Sequence, residues 1–198
     1  MSLKEEIFFY AILFVVIGLS AKMFFESDAY NLTCIVSTVD GEKYCVREKE
    51  NLEKSADLLA SVTGRCKRLV DFMKKKYPDR EDVDRLYKGF SSTKITETLP
   101  TSTLTAYSEN KGQKIAFCLN KKKNGTELID MNTLTFVAIH ELAHIMTLSV
   151  GHKQEFWENF KFLLEGAKEL GVYEPEDYKK KPAEYCSMMI NDNPYYDV

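Results

Sequence analysis

The longest uninterrupted hydrophobic stretch of the chain lies at its N-terminus. Residues 7–21 carry no charge, and Met23-Phe24-Phe25 continues the apolar run beyond Lys22. A helix over residues 6–25 approaches the roughly 20 residues that are needed to cross a bilayer. Lys22 can extend its ammonium group to the membrane interface while its methylenes stay in an apolar environment. The pattern predicts a single transmembrane helix within an N-terminal membrane anchor, residues 1–28.

Two alternatives explain part of the same stretch. A cleaved signal peptide would have a similar apolar length, and residues 18–21 resemble a small-residue cleavage region, but Lys4 is followed at once by Glu5 and Glu6. A core helix of a soluble domain is the other alternative, although such helices usually have a polar face. The anchor is favoured over both. Its orientation is undetermined, because basic residues flank the two ends almost equally.

Beyond the anchor, residues 29–46 read as a linker or a short hairpin. Short apolar runs flank a turn at Asp40-Gly41, and Cys34 and Cys45 are placed to face each other across it. A disulfide between them requires an oxidising compartment. Five reduced thiols are equally consistent with the sequence.

Helical periodicity dominates much of the remainder. Apolar residues recur every three to four positions over residues 47–77, and Pro78 ends this run. A short helix is expected at residues 82–87. A second amphipathic helix is expected over residues 153–170, with Gly171 as its stop signal.

Alternating patterns indicate a small sheet between these helices. Residues 103–107 and 114–119 read as strands joined by a turn at residues 109–112. Residues 127–129 suggest a further short strand, and residues 185–190 a short helix in the tail. The expected fold class is therefore α+β, with helices packed on a small sheet.

The length and the net charge of the chain limit the number of domains and the kinds of partner. A chain of 198 residues with 44% apolar content can bury one ordinary core, so residues 47–198 are expected to form one domain. The net charge of −3 provides no general basic field, which argues against a nucleic-acid partner. The lysine triplets at residues 74–76, 121–123 and 179–181 adjoin turn residues and fit solvated loops and helix ends.

All three histidines of the chain lie within 13 residues, at His140, His144 and His152. His140 to His144 match the H-E-x-x-H pattern of zinc-dependent hydrolases. On a helix the two imidazoles project from one face and can bind one Zn²⁺. Glu141 lies about 100° round the helix, where its carboxylate can take a proton from water beside the metal. We predict His140 and His144 as metal ligands and Glu141 as the catalytic base.

A catalytic zinc site needs a third protein ligand. His152 would lie about 12 Å from His144 on a continuous helix, so the chain must break between them. Gly151 favours such a break, since glycine adopts the left-handed conformation that ends helices. Asp130 or Asn132 is expected to cap the start of the metal helix.

Other residues near the motif have less specific signals. Glu184 is an alternative third ligand, although spacing favours His152. Tyr107 and Tyr185 are the candidates for stabilising an oxyanion. Trp157 reads as a core residue rather than as a substrate contact. Glu155 and Glu158 could orient a ligand histidine, but solvated helix positions are favoured for both.

These residues predict metal-assisted amide hydrolysis, with a protein or peptide as substrate. A strand beside the metal helix would offer a substrate peptide an edge to pair with. The alternative is a membrane-tethered interaction module with a catalytically silent zinc site. The presence of Glu141 argues against that alternative, because a structural zinc site does not need it and usually has four protein ligands.

The segment His140-Glu141-Leu142-Ala143-His144, with Gly151-His152 and Glu155-Phe156-Trp157, resembles the SprT-like and WLM groups of compact zincin-type metallopeptidases. Uncharacterised members from large DNA viruses are the most similar in appearance. The resemblance covers about residues 99–190. It implies zinc bound by His140, His144 and His152, with Glu141 as general base.

Known members of these groups include proteases that digest proteins crosslinked to DNA. This chain departs from that pattern in two ways: it has the N-terminal apolar segment, and it shows no basic DNA-binding extension. Protease chemistry is compatible with both departures, whereas a DNA-crosslink substrate does not follow from the resemblance.

Overall fold

The computed structural model describes residues 3–90 and 94–197 and shows a mixed α+β fold. The helices are α1 (Leu3–Phe25), α2 (Asp28–Asn31), α3 (Leu52–Lys76), α4 (Glu81–Gly89), α5 (Met131–Met146) and α6 (Gln154–Glu169). The strands are β1 (Leu32–Val36), β2 (Lys43–Arg47), β3 (Ile95–Glu97), β4 (Ala106–Glu109), β5 (Lys114–Phe117), β6 (Ala183–Tyr185) and β7 (Met188–Ile190). A 3₁₀ turn at Pro194–Tyr196 follows β7.

Five strands form the main sheet, in the spatial order β1-β2-β3-β5-β4. The central pairs β2/β3 and β3/β5 are parallel, and the outer pairs β1/β2 and β5/β4 are antiparallel. β1 and β2 form a hairpin in which Cys34 lies opposite Cys45, and the two cysteines form a disulfide. The segment predicted as a linker or a short hairpin is therefore an edge hairpin of the sheet.

The long helix α3 begins later than its periodicity suggests. Arg47 belongs to β2, where its backbone N–H donates to Glu97 and its guanidinium lies 3.3 Å from the same carboxylate. Both side chains are buried, at 4% and 2% exposure. Burial lowers the pKa of Arg47 and raises that of Glu97, opposite to the effect of their mutual attraction. The prediction of a helix from residue 47 was wrong because this pairing with a distant strand overrides the local pattern.

The strands of the sheet have different limits from those predicted. β4 begins at Ala106 rather than at residue 103, and β3 was not predicted. Residues 127–129 contribute only a single bridge, between Asn120 and Leu128. Strand limits depend on which backbone groups find partners on neighbouring strands, and a single sequence does not contain that information.

The N-terminal helix α1 differs from all the others in its surroundings. Its side chains from Lys4 to Phe25 are exposed, and the segment is long and apolar enough to cross a membrane. A signal sequence would meet the same criteria of length and composition. Asn31, at the end of α2, donates to the carbonyls of Phe25 and Ser27, so the chain passes from α1 to β1 through a short hydrogen-bonded connection.

Helix α5 occupies the centre of the domain, with α3, α4 and α6 packed against it. Ala138, Leu142 and Ala143 have no exposed surface, as expected of a central helix. The side chain of Asp130 accepts a hydrogen bond from the backbone N–H of Thr133 at 2.8 Å and caps the helix. Asn132 instead lies inside the helix, where it bonds to residue Glu174.

The tail does not form the predicted short helix. It forms a hairpin, β6–β7, turning at Cys186 and Ser187, both of which have positive φ angles (50° and 66°). Two-residue hairpin turns of this kind usually contain glycine or asparagine, so the sequence carries no signal for it. A disulfide from Cys186 to Cys118, which directly follows β5, holds the hairpin against the sheet. This pairing, too, was not predicted.

Candidate metal centre and substrate cleft

The three histidines converge on one point. His140 and His144 project from the same face of α5 with their Nε2 atoms 3.2 Å apart, and the Nε2 atom of His152 lies 3.0 Å from that of His140. The candidate ligand atoms of all three lie within 4.8 Å of one another. Ligands of a tetrahedral zinc site, with Zn–N distances near 2.0–2.1 Å, are separated by about 3.4 Å. The cluster therefore fits a zinc ion with three imidazole ligands.

The electrostatics of the cluster suit metal binding. Burial, together with the neighbouring histidines, lowers the pKa of His140 to about 3. Burial, His152 and Lys111 lower that of His144 to about 4. Both imidazoles are thus neutral near pH 7, which is the form that binds a metal.

The break between α5 and α6 brings His152 back to the site. The helix ends at Thr147, whose hydroxyl donates to the carbonyl of Ala143 and accepts a hydrogen bond from Asn159. Gly151 has a φ of +83°, in the region where glycine is favoured, but it lies in the loop, and the last residue of the helix is already Met146, earlier than predicted. The carboxylate of Glu155 accepts hydrogen bonds from the backbone N–H groups of Leu148 and Ser149. Glu155 thereby orders the loop that carries the third histidine, which favours the alternative of an orienting residue over the solvated position.

Two cationic side chains from neighbouring elements also hold the C-terminal end of α5. Lys111, in the β4–β5 turn, donates to the carbonyls of His144 and Thr147. Arg85 on α4 donates to the carbonyl of Met146. Cations at a helix C-terminus satisfy the last carbonyls and interact favourably with the helix dipole.

A buried phenylalanine packs against all three imidazoles. Phe156 has no exposed surface, and its ring lies 4.8, 4.4 and 4.6 Å from the rings of His140, His144 and His152. The helical pattern indicated that Phe156 is a core residue, but its contact with all three histidines arises only when α6 folds back on α5.

Glu141 lies beside the cluster rather than in it, as the helix geometry predicts. It is 4% exposed, and burial raises its pKa to about 8. A positive metal ion next to the carboxylate would favour its charged form. Glu184 is not among the converging groups, which are His140, His144 and His152.

Two clefts meet at these residues. The first, which we call the Trp157 cleft, has a volume of about 280 Å³ and extends from His140 and Glu141 towards Trp157 and the β6–β7 hairpin. The second, the His152 cleft, has a volume of about 480 Å³ and extends past His152 towards the β4–β5 turn. Ala106 on β4, the edge strand, lines both. A polypeptide lying along β4 would pass from one cleft to the other across the candidate metal centre.

The two tyrosine candidates for an oxyanion contact differ in placement. Tyr185 is 2% exposed, and its hydroxyl donates to the carbonyl of Thr105 and accepts from the backbone N–H of Cys118. Burial raises its pKa far above the usual value. The hydroxyl of Tyr185 is already hydrogen-bonded to two backbone groups. Tyr185 therefore positions the wall of the Trp157 cleft rather than contacting an oxyanion. Tyr107 is half-buried and lines the His152 cleft.

Trp157 is placed differently from the prediction of a core residue. Its side chain is 43% exposed and lines the Trp157 cleft, with its ring 5.7 Å from that of His152. The amphipathic pattern of α6 cannot distinguish a residue in the core from one at the rim of a cleft, because both lie on nearly the same helix face.

The mixed α+β fold, with two histidines on a central helix and a third in the following loop, agrees with the family comparison. A family model for the WLM domain matches residues 85–191, more than half of the chain, and the chain belongs to that metallopeptidase-like family. The match includes all three histidines and Glu141.

Relatives of the chain occur in large DNA viruses. Uncharacterized protein R325 of Acanthamoeba polyphaga mimivirus is 27% identical over 90% of this chain and 93% of its own length. Uncharacterized protein 136R of Invertebrate iridescent virus 6 is 39% identical over 41% of this chain and 44% of its own length. Uncharacterized protein 042R of Invertebrate iridescent virus 3 is 33% identical over 50% of this chain and 57% of its own length. Among solved structures, that of Wss1 from Saccharomyces cerevisiae aligns with a TM-score of 0.49 at 20% identity, over 64% of this chain and 87% of that chain.

Proposed function

We propose that the protein is a membrane-anchored zinc peptidase that hydrolyses amide bonds in proteins or peptides. The observation that carries this proposal is the convergence of three imidazoles beside a buried carboxylate, at the junction of two clefts. His140, His144 and His152 would hold the zinc ion. The WLM family membership supports the same chemistry.

The roles of the residues follow from their placement. Bound zinc supplies Lewis-acid chemistry, polarising a carbonyl and lowering the pKa of a water molecule. Glu141 accepts the proton of the attacking water and returns it to the nitrogen of the leaving amine, so that it ends the cycle in its original state. β4 is an edge strand beside α5 and offers backbone groups to an extended substrate.

The proposed location rests on two features. Helix α1 is exposed and has the length and composition of a membrane span. Two disulfides, Cys34–Cys45 and Cys118–Cys186, are formed in the domain, and disulfides persist in oxidising environments. We propose that α1 anchors the chain and that the domain faces an oxidising compartment.

The central experiment uses the full chain in lipid nanodiscs, loaded with zinc and incubated with casein with and without a chelator. Wild-type protein should cleave casein, and the chelator should stop it. Glu141→Gln should retain zinc but lower kcat by about 10²- to 10⁴-fold, because it removes the proton acceptor. Glu165→Gln, an identical change at an exposed position of α6, should have no effect.

A second variant tests the metal ligands. His152→Ala should lose stoichiometric zinc, measured by metal analysis of the purified protein, because two ligands remain. Full activity of Glu141→Gln would contradict the mechanism. Retained zinc without any chelator-sensitive cleavage would favour the catalytically silent interaction module instead.

A further inference from the structure

The Trp157 cleft is more apolar than proton transfer and metal binding require. Its inner part is formed by the buried rings of Phe136 and Phe160, which contact each other at 5.1 Å. Its outer wall is formed by Trp157, Met188 and Met189, whose side chains are 43%, 46% and 53% exposed. Large apolar side chains that remain exposed around a concave site are typical of ligand recognition.

The outer wall is held rigidly in place. Met188 and Met189 lie on β7, and the hairpin turn before it is tied to the rest of the domain by the Cys118–Cys186 disulfide. The backbone N–H groups of Cys186 and Ser187 also donate to the carbonyls of Asn120 and Lys121. The cleft is thus preformed, which reduces the entropy lost when a ligand binds.

The charges of the cleft disfavour an acidic ligand. Among the described lining residues, apart from Glu141 and His140 at the candidate metal centre, the charged side chain is Asp192 at the rim. Asp192 is exposed and pairs with Lys179 at 3.0 Å. The lining therefore offers no lysine or arginine to a carboxylate of the ligand, and burying an unpaired charge there would be costly.

We propose that the Trp157 cleft is a specificity pocket that receives one bulky apolar side chain (aromatic, leucine or methionine) of the polypeptide substrate, next to the bond that is cleaved. The position of the cleft supports this, because His140 and Glu141 form its inner end and Ala106 of the edge strand forms its side. This inference rests on the proposed peptidase function and adds the class of substrate.

The first test measures binding without requiring cleavage. Trp157 is the only tryptophan of the chain, so its fluorescence reports directly on the cleft. Titration of the zinc-loaded full chain with N-acetyl-phenylalaninamide should give a saturable change in emission. N-acetyl-alaninamide and N-acetyl-aspartamide should require about tenfold higher concentrations or more, because they bury much less apolar surface.

The second test identifies cleavage sites. The zinc-loaded chain is incubated with a peptide library, and mass spectrometry of the products identifies the residues on both sides of each cut. We expect large apolar residues to be preferred at one position by about 10- to 100-fold over alanine or aspartate. Met189→Lys places a cation in the wall and should reduce this preference about tenfold. Val39→Lys, at an exposed apolar residue in the β1–β2 turn, should leave it unchanged.

The outcomes separate the inference from the proposed function. Cleavage that ignores side-chain size, together with no fluorescence response to the phenylalanine probe, would overturn the inference and leave the peptidase function intact. Absence of cleavage of every peptide by zinc-loaded protein would overturn the peptidase function and with it the role next to the cleaved bond. A selective fluorescence response in that case would still identify the cleft as a site for apolar side chains, and no response would exclude even that.

Discussion

The helices α1 and α5 have similarly apolar sequences but opposite surroundings. Every side chain of α1 from Lys4 to Phe25 is exposed, whereas α5 is buried on nearly all faces by α3, α4 and α6. They differ in where their polar residues lie. In α1 the charged residues are at the ends, and in α5 His140, Glu141 and His144 interrupt the apolar surface in its second half. Similar apolar content therefore does not decide the surroundings of a helix: α5 lies in the core with a candidate site, whereas α1 lies outside it, where a membrane is only proposed.

The largest expected effect comes from placing one identical charge in each helix. Ala138→Asp buries a carboxylate where Ala138 has no exposed surface, and we expect a loss of at least about 3–5 kcal/mol in the free energy of unfolding. This is a large share of the total, since domains of this size have about 5–15 kcal/mol, so the urea midpoint should fall well below that of the wild type. Circular dichroism during urea unfolding measures the change.

Ala11→Asp, in the apolar stretch of α1, is the matched variant. It should leave the unfolding of the domain unchanged but oppose membrane insertion by about 2.5–3.5 kcal/mol. Resistance to extraction from membranes by alkaline carbonate measures this. Recovery of mature wild-type protein that lacks α1, detected by intact mass, would contradict the anchor and identify α1 as a signal peptide.

Removing each disulfide tests how much it contributes to the stability of the domain that encloses α5. Cys118→Ala with Cys186→Ala opens a loop with a sequence separation of 68, and the chain-entropy estimate is about 4 kcal/mol of lost stability. Cys34→Ala with Cys45→Ala opens a separation of only 11, for about 3 kcal/mol. Urea unfolding should rank the two double variants in this order. Neither should change membrane association, and a loss of it would show that α1 depends on the fold of the domain.

The smallest expected effect concerns the start of α5. Asp130→Ala removes the hydrogen bond from the N–H of Thr133 and should cost about 1 kcal/mol. Lys153→Ala, at the corresponding position of α6, removes no such bond and should change the stability by less than about 0.5 kcal/mol. Equal effects of the two variants would show that the cap of Asp130 contributes nothing.

Most of the candidate metal centre could be predicted from the sequence, because its geometry is local. The spacing of His140 and His144 follows from the helical turn, and Gly151 indicated that the chain turns back before His152, although the helix ends earlier, at Met146. The rest of the site could not be predicted. Trp157 lines a cleft together with residues of β7, and Glu155 bonds to the loop before His152, only because distant segments meet when the chain folds and α6 packs against α5.

The sequence by itself thus determined the candidate ligands, the proposed base, the apolar N-terminal helix and the approximate helices, since each depends on residues within a few turns of one another. Only the tertiary structure decided the parallel pairing of β2, β3 and β5, the burial of Arg47 with Glu97, and the Cys118–Cys186 disulfide. These pairings join segments about 20 to 70 residues apart. The energies of these pairings depend on which surfaces meet in the folded chain. Neither the periodicity nor the local spacing of residues contains information about which surfaces meet.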